Sequence, residues 1–432
     1  MRFFNFDKIQ KVLYFFVLFF PLIIVLRSAA TNITLTVLSI ISIFIIIGQK
    51  KYFFFKDYFI KYIIFFFIFI FINSLLNFYN LEIVLKSLSN FRYLFLTFAV
   101  FITLENISNK NLKLFLNINL ILIILIGLDI FYQFNFGKNI IGLLPGICDN
   151  NMENCTRFSG IFGSELIAGA YISQIGLLIF YLIISKNKLK TNNFNQITSF
   201  TFLLYLFFII ILTGERNALL IFLISIFIFF FLQKKIKLKD FLILNFIFLI
   251  SLIIISQNSK SIKSRYLNFF NSTVSSKNTP IIEKLKNTPW GFHYQAAYEL
   301  FLQKPLLGHG HKSFRIKCRD TKIDKKTVFY RDMFRGYRAC SSHPHSYVME
   351  FLSENGIIGL IFYLAIIIYI FFKILNLRIN DNNNNLLAIG IGSLILAILF
   401  PIKPSGSFFT TFNASILFYL LGFFLYYSKN TK

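Results

Sequence analysis

Long apolar runs separated by short polar gaps make up most of this 432-residue chain. Runs long enough to cross about 30 Å of hydrocarbon, at about 20 residues each, fall near 12–30, 31–48, 58–76, 90–104, 114–132, 164–185, 198–213, 217–232, 240–256, 355–374, 385–401 and 408–427. They predict an all-α polytopic membrane protein of about 12 transmembrane helices. One long hydrophilic stretch interrupts them. The chain therefore divides into 1–256, with nine helices and short loops, a large loop at 257–354, and 355–432, with the last three helices. Within the loop, 292–304 has the spacing of an amphipathic helix, so the loop is expected to contain short helices.

Composition supports this class. Hydrophobic residues are 56% of the chain, charged ones 14%, and mean hydropathy is +0.68, values that exclude a soluble globular domain of this length. The 60 phenylalanines and the abundant Asn and Lys look like a base-composition bias, so runs of Asn or Lys carry no functional reading here. Lys8 and Lys11 precede the first apolar run without a small-residue cleavage site, which predicts a retained helix and no signal peptide.

Charge orients the bundle. Alternate short gaps contain Lys50, Lys51, Lys56 and Lys61, then Lys110 and Lys113, then Lys186, Lys188 and Lys190, then Lys234, Lys235, Lys237 and Lys239. By the positive-inside rule that face is cytoplasmic. The opposite gaps carry little beyond Arg27, Lys86, Arg157, Arg216 and Lys403. Both termini are then inside and the 257–354 loop is outside. All four cysteines fall on that oxidising face, Cys148 and Cys155 in one gap and Cys318 and Cys340 in the long loop. Two disulfides are expected from their placement, with four free thiols as the alternative. The net charge of +26 does not indicate nucleic acid. About half is cytoplasmic bias, and much of the rest lies in the loop, with seventeen Lys/Arg against seven Asp/Glu. A basic outer loop beside a bilayer faces anionic lipids, lipid diphosphates or acidic glycans.

All five histidines lie between His293 and His345. Histidine is the side chain that titrates near neutrality, so the clustering points to proton transfer or ligand binding. Gly308-His309-Gly310-His311 with His343 and His345 invites a zinc reading, but no carboxylate or cysteine ligand is obviously available. Gly308 and Gly310 are better read as permitting a tight turn. Ser342 or His343 is placed to cap a helix beginning with Pro344 and His345, whose positive end would hold His345 neutral and able to accept a proton. Arg216 lies in a turn of a few residues between two apolar runs, with either Glu215 or a phosphate as its partner. Glu350 and Glu354, four apart on one helix face, either support the histidine or are solvent-facing first-turn acids.

The ordered motifs are more specific. Pro305-Leu306-Leu307-Gly308-His309-Gly310-His311-Lys312-Ser313-Phe314 is followed by a cysteine pair. Then comes His343-Pro344-His345-Ser346-Tyr347-Val348-Met349-Glu350-Phe351-Leu352-Ser353-Glu354-Asn355-Gly356-Ile357-Ile358-Gly359-Leu360. Together with Arg157-Phe158-Ser159-Gly160-Ile161-Phe162-Gly163 and Thr213-Gly214-Glu215-Arg216-Asn217-Ala218-Leu219, this order resembles the O-antigen ligase and O-antigen polymerase family of bacterial membrane glycosyltransferases. The matches run from about 157 to 360. Glu165-Leu166 stands where many members have Pro-Asn, which puts any role of that dipeptide in doubt.

The resemblance implies an inverting, metal-independent enzyme with no cofactor. It would move a glycan from a polyprenyl diphosphate (undecaprenyl diphosphate) carrier to an acceptor hydroxyl, in lipopolysaccharide or polysaccharide biosynthesis. On that reading His345 is the catalytic base, with His343, Glu350 and Glu354 as possible supports, and Arg216, Arg157 and Arg265 bind the diphosphate. The partners are the lipid-linked donor, a glycolipid (lipid A–core) or glycan acceptor, and the bilayer. A ligase acting on lipid A–core is the first expectation. A polymerase or a protein O-oligosaccharyltransferase of the same family is the alternative, and a transporter using its outer histidines for gating is the reading from another class.

Overall fold

The structure, a computed structural model, describes residues 6–148, 155–187, 193–232, 246–268 apart from 249, 252, 256 and 258, 288–320, 340–379 and 383–429. Lys188, Lys190, Lys234, Lys235, Lys237 and Lys239, the first part of the 240–256 run, and 269–287 and 321–339 of the long loop lie outside the described residues.

Among the described residues every long element is a helix, and the one β pairing is an isolated antiparallel bridge between Ile147 and Arg157. The helices are α1 (Phe6–Leu18), α2 (Phe20–Val25), α3 (Arg27–Gly48), α4 (Tyr58–Leu76), α5 (Leu81–Ser89), α6 (Phe91–Asn106), α7 (Asn109–Phe136), α8 (Ala168–Asn187), α9 (Asn193–Leu212) and α10 (Arg216–Leu232). They continue as α11 (Phe246–Ile255), α12 (Pro289–Gln303), α13 (Phe314–Asp320), α14 (Tyr347–Ile379), α15 (Asn383–Ile398) and α16 (Thr411–Lys429).

The all-α expectation holds among the described residues, and most of the predicted apolar runs fall on apolar helices. Among the described residues seven helices are long and apolar enough to cross a membrane, α3, α4, α5 with α6, α7, α8, α14 and α16, and an eighth if α11 and the turn after it are one bent span. Residues 197–212, 216–232 and 385–398 are shorter apolar helices. The first two runs do not meet at 30. The chain breaks at Phe19, just before Pro21, whose ring cannot donate to the preceding turn, and again at Leu26, after which Arg27 has a φ of 75°. The fourth span starts at Leu81, so Lys86 belongs to a helix and pairs there with Glu82.

Burial separates inner from outer helices. The apolar windows of α8 and α16 are 78% buried, whereas that of α14 is 28% buried. A helix apolar all round that leaves Ile361, Ile368, Phe371 and Phe372 uncovered requires lipid on that side, because water would not tolerate so large an apolar surface. The protein is therefore a membrane protein.

The two ends of the bundle are built differently. At one end the Lys51–Glu105 ion pair ties the α3–α4 connection to the end of α6. At the other, Asp129 and Gln133 near the end of α7 bind the segment that follows: Asp129 accepts from Asn139 and Ile140, and Gln133 accepts from Gly160 N at 2.8 Å. The candidate site is at this second end.

Candidate active site

Two glycines determine how the site-bearing helix enters the bundle. Helix α14 breaks at Gly356, whose φ of 63° and ψ of −163° are open essentially to glycine alone. The freed backbone groups are taken up by the 305–310 turn: Ile357 N donates to Pro305 O at 2.8 Å, Gly310 N to Glu354 O at 2.7 Å and His309 N to Ser353 O at 3.1 Å. A Cβ at Gly308 would come within 2.5 Å of Asn355 N, and one at Gly356 within 2.2 Å of Leu306 O. The turn expected from Gly308 and Gly310 thus serves as the seat of α14, and Asn73 of α4 fastens it by donating to Leu307 O and Glu354 O.

Glu350 and Glu354 belong to this seat. Both are buried. Glu350 accepts from Ser407 Oγ and from Phe408 N at 2.9 Å, and Glu354 accepts from Lys312 N at 2.8 Å and Phe314 N at 3.4 Å. They are neither solvent-facing acids nor hydrogen-bonded to His345. They anchor the two flanking segments, because buried backbone donors need acceptors of their own.

The histidines divide into two groups. His309 bonds Leu300 O through Nε2 at 3.0 Å, and His311 Nε2 meets Asn90 Nδ2 at 3.3 Å. Both are buried and used as packing polar groups. His345, His343 and His293 form a stack, with ring centroids 4.1 Å apart for His343–His345 and 5.1 Å for His293–His345. Among the described residues no three His, Cys, Asp or Glu side chains converge on a metal position.

The structure corrects the expected cap. The helix begins at Tyr347, three residues later than the sequence suggested, and Ser346 is the residue whose hydroxyl meets Met349 N, at 3.5 Å. His345 precedes the helix with a left-handed φ of 56°. Its carbonyl accepts from Ser405 N at 2.9 Å and Tyr294 Oη at 3.4 Å. Neutrality of the ring has a different origin from the one expected. Burial, with the positive potential of His293 second, takes His345 down to about 4, and burial with its histidine neighbours takes His343 to about 3. Both rings are neutral at pH 7. His343 Nδ1 meets Ser342 Oγ at 2.9 Å, while its buried Nε2 has no hydrogen-bond partner.

The three expected arginines are brought together from distant segments. The Cys148–Cys155 disulfide closes a hairpin in which Thr156 N donates to Ile147 O and Gly146 N to Arg157 O. That hairpin rests on the α9–α10 turn through Phe158 N and Thr213 O, 3.3 Å apart. Arg265, after α11, donates from Nε to Gly214 O in the same turn at 3.1 Å. Arg216 feels the charges of both Arg157 and Arg265. Glu215 is directed elsewhere: its carboxylate caps the start of α8, accepting from Gly169 N at 3.0 Å and Ala170 N at 3.2 Å, and burial pushes it up to about 7. Buried donors are left over at the cluster, namely Arg157 Nε, Arg265 Nη2 and Tyr266 Oη. Three guanidinium groups lie close enough to feel one another, and two of them, Arg157 and Arg265, keep a buried donor without a partner, an arrangement whose chemistry suits a multiply charged anion.

Helix α12 joins the two clusters. Thr288 caps it by accepting from Gly291 N at 3.1 Å, and Pro289 stands at its first position. It is held by a small core of Phe292, Ala296, Ala297, Leu300, Phe314 and Cys318. The Cys318–Cys340 disulfide fastens that core to the segment leading into His343. Trp290 lies under Arg216, with the guanidinium 5.1 Å from the ring centroid, and His293, one turn later, lies against His345. Neighbours three apart on a helix share a face about 5–6 Å across, so the arginine and histidine clusters are adjacent.

The described site is thus an all-helical membrane bundle that holds a buried histidine cluster next to three arginines at one end. Residues 201–364 match the family model described as O-Antigen ligase, the family that the ordered motifs resemble. No curated protein sequence matches the chain.

Sequence reading missed several members of the site. Trp290 is the chain's only tryptophan and is three residues before His293, a signal that was available. Tyr266, Tyr294 and the carboxylate of Glu215 as a helix cap have no signature beyond their proximity to named residues.

Proposed function

We propose that the chain is an O-antigen ligase-like glycosyltransferase working at the outer face of a bacterial inner membrane, with both termini inside. A glycan linked to a polyprenyl diphosphate docks its diphosphate on Arg216, Arg157 and Arg265. His345, neutral at physiological pH, takes the proton from an acceptor hydroxyl as that oxygen attacks the anomeric carbon. The bond to the diphosphate breaks on the opposite side, so a single displacement inverts the configuration, and the arginines stabilise the charge growing on the leaving group. His343 and His293 pack His345 in place.

The observation that carries this reading is the adjacency of the two clusters through Trp290 and His293 on one turn of α12. A base and a leaving-group seat must flank one anomeric carbon, and a gating histidine has no need of an arginine cluster beside it. The transporter reading also predicts a pathway residue in the spans, and Asp129 instead holds Asn139 and Ile140. Lipid A–core is the proposed acceptor, as for a ligase. Polymerase and protein glycosylation differ from it only in the acceptor.

The test is purified protein in vesicles with a lipid-linked glycan donor and acceptor. Transfer should disappear in His345→Ala. Normal transfer by that variant would rule the assignment out. In cells, deletion with polymer accumulating on the lipid carrier indicates a ligase, and single-repeat products indicate a polymerase.

A further inference from the structure

Lys403 lies in the connection between α15 and α16, and it is only 4% exposed. A lysine in a connection ordinarily extends its long stem until the ammonium reaches water. This one is confined. Ser405 N donates to His345 O, Ser407 Oγ and Phe408 N donate to Glu350, and Asn413 Nδ2 donates to Ser407 O at 2.9 Å. Pro401 and Pro404 stiffen the segment on either side of the lysine. Among the described residues the ammonium meets neither a carboxylate nor a hydrogen-bond acceptor. Its neighbour is the ring of Tyr347, whose centroid is 5.2 Å from Nζ.

Burial without a compensating charge takes this ammonium from its ordinary 10.5 down to about 7. A residue needed only for packing would not carry that cost, since Met or Gln fills a similar volume without desolvating a charge. A negative ligand group restores the missing partner. Lys403 also belongs to a different element from the arginines: it lies on the α15–α16 connection over Tyr347, whereas they come from the Cys148–Cys155 hairpin, the α9–α10 turn and the segment after α11. It reaches the histidine stack from another side, through Ser405 on the backbone of His345, whereas the arginines reach it through α12.

We propose that Lys403, held over Tyr347 beside His345, is a binding residue for an anionic oxygen group, a phosphate or a carboxylate, on the acceptor glycan. The proposal rests on the glycosyl-transfer reading and adds the chemistry of the acceptor. Donor and acceptor then bring their negative groups to two separate cationic sites on either side of the base.

The experiment compares wild type with Lys403→Gln on acceptor lipid extracted from the same membranes, untreated, phosphatase-treated or methyl-esterified. For wild type, one of the two treatments should raise the acceptor KM about tenfold or more, the loss of one charge-assisted contact, and the treatment that does so identifies the group. In Lys403→Gln the untreated acceptor should already show that raised KM, and treatment should add little. Lys403→Arg, which keeps the charge, should retain a clear preference for the untreated acceptor and serves if the Gln variant does not fold. The proposal is overturned if the Gln variant loses equally on charged and stripped acceptors, if the donor KM rises instead, or if neither treatment affects wild type. His345→Ala distinguishes this from failure of the wider reading: if that variant is inactive while Lys403→Gln behaves as wild type, only the lysine assignment falls.

Discussion

Removing the Arg216 guanidinium should change ligand binding and ligand-free stability in opposite directions. In the free protein Arg216 is repelled by Arg157 and Arg265. Two like charges about 8 Å apart at an effective dielectric near 20 repel by about 2 kcal/mol, and solvent around this half-buried group discounts that. Against it stands the contact with the Trp290 ring, worth about 0.5–1 kcal/mol. Arg216→Ala should therefore leave the free protein as stable or more stable by up to about 1 kcal/mol. Bound diphosphate loses one charge-assisted contact of about 1.5–3 kcal/mol, so Kd should rise about 10- to 100-fold. Arg216→Lys, which keeps the charge without the planar fork, should fall between. The protein carries its own reporter, because Trp290 is its only tryptophan. Titration with inorganic pyrophosphate, followed by Trp290 fluorescence at two salt concentrations and by melting with and without ligand, measures both quantities. If Arg216→Ala melts several degrees lower when free and binds pyrophosphate as wild type does, the arginine is a structural element of the turn and the anion seat is elsewhere.

Other outcomes follow from the same geometry. Because His345 is held near 4 and acts as a base when neutral, kcat at saturating acceptor should be flat from about pH 6 to 8 and fall only as pH drops through about 4. In His293→Ala, with a positive neighbour gone, that acid limb should move upward, as a pH–rate profile reads directly. The depressed values of His343 and His345 also mean that the unfolded chain binds more protons, so stability should decrease as pH falls from about 6.5 towards 4; a flat melting curve over that range would contradict their burial. Gly356→Ala should cost about 2–5 kcal/mol, from about 1–3 of backbone strain plus bonds lost when the Leu306 carbonyl is displaced, and unaltered melting would show the seat to be deformable. Replacing Cys148 and Cys155 by Ser removes a short loop constraint worth about 2–3 kcal/mol. It should raise the donor KM more than it changes kcat, since that hairpin carries Arg157.

Most of the fold was legible because a membrane span is an unusually strong sequence signal. Boundaries were less so. The tenth span was started at 355 because Glu350 and Glu354 look like solvent acids, and only their backbone partners at 312, 314 and 408 show why carboxylates are buried there. His345, Arg157, Arg216 and Arg265, which the motifs single out far apart in the sequence, lie at one end of the bundle. The reason given for the neutrality of His345 was not the operative one: a helix N-terminus can be read from a cap motif, whereas burial and stacking depend on His293 arriving from fifty residues away. Lys403 looked like a stray charge in a short gap, because nothing local to it predicts that Ser405 and Ser407 would hold its loop against His345 and Glu350.

The left-handed backbone of His345 has a practical consequence. Such a conformation costs an L-residue about 1–2 kcal/mol of steric strain that glycine does not incur. The protein keeps its proposed base on backbone that a catalytically silent residue would occupy with less strain. His345→Gly relieves that strain, which offsets part of the loss of a ring packed against His293 and His343, so it should be an inactive form that still folds, holds donor and acceptor together without turnover and lends itself to trapping the complex for structure determination.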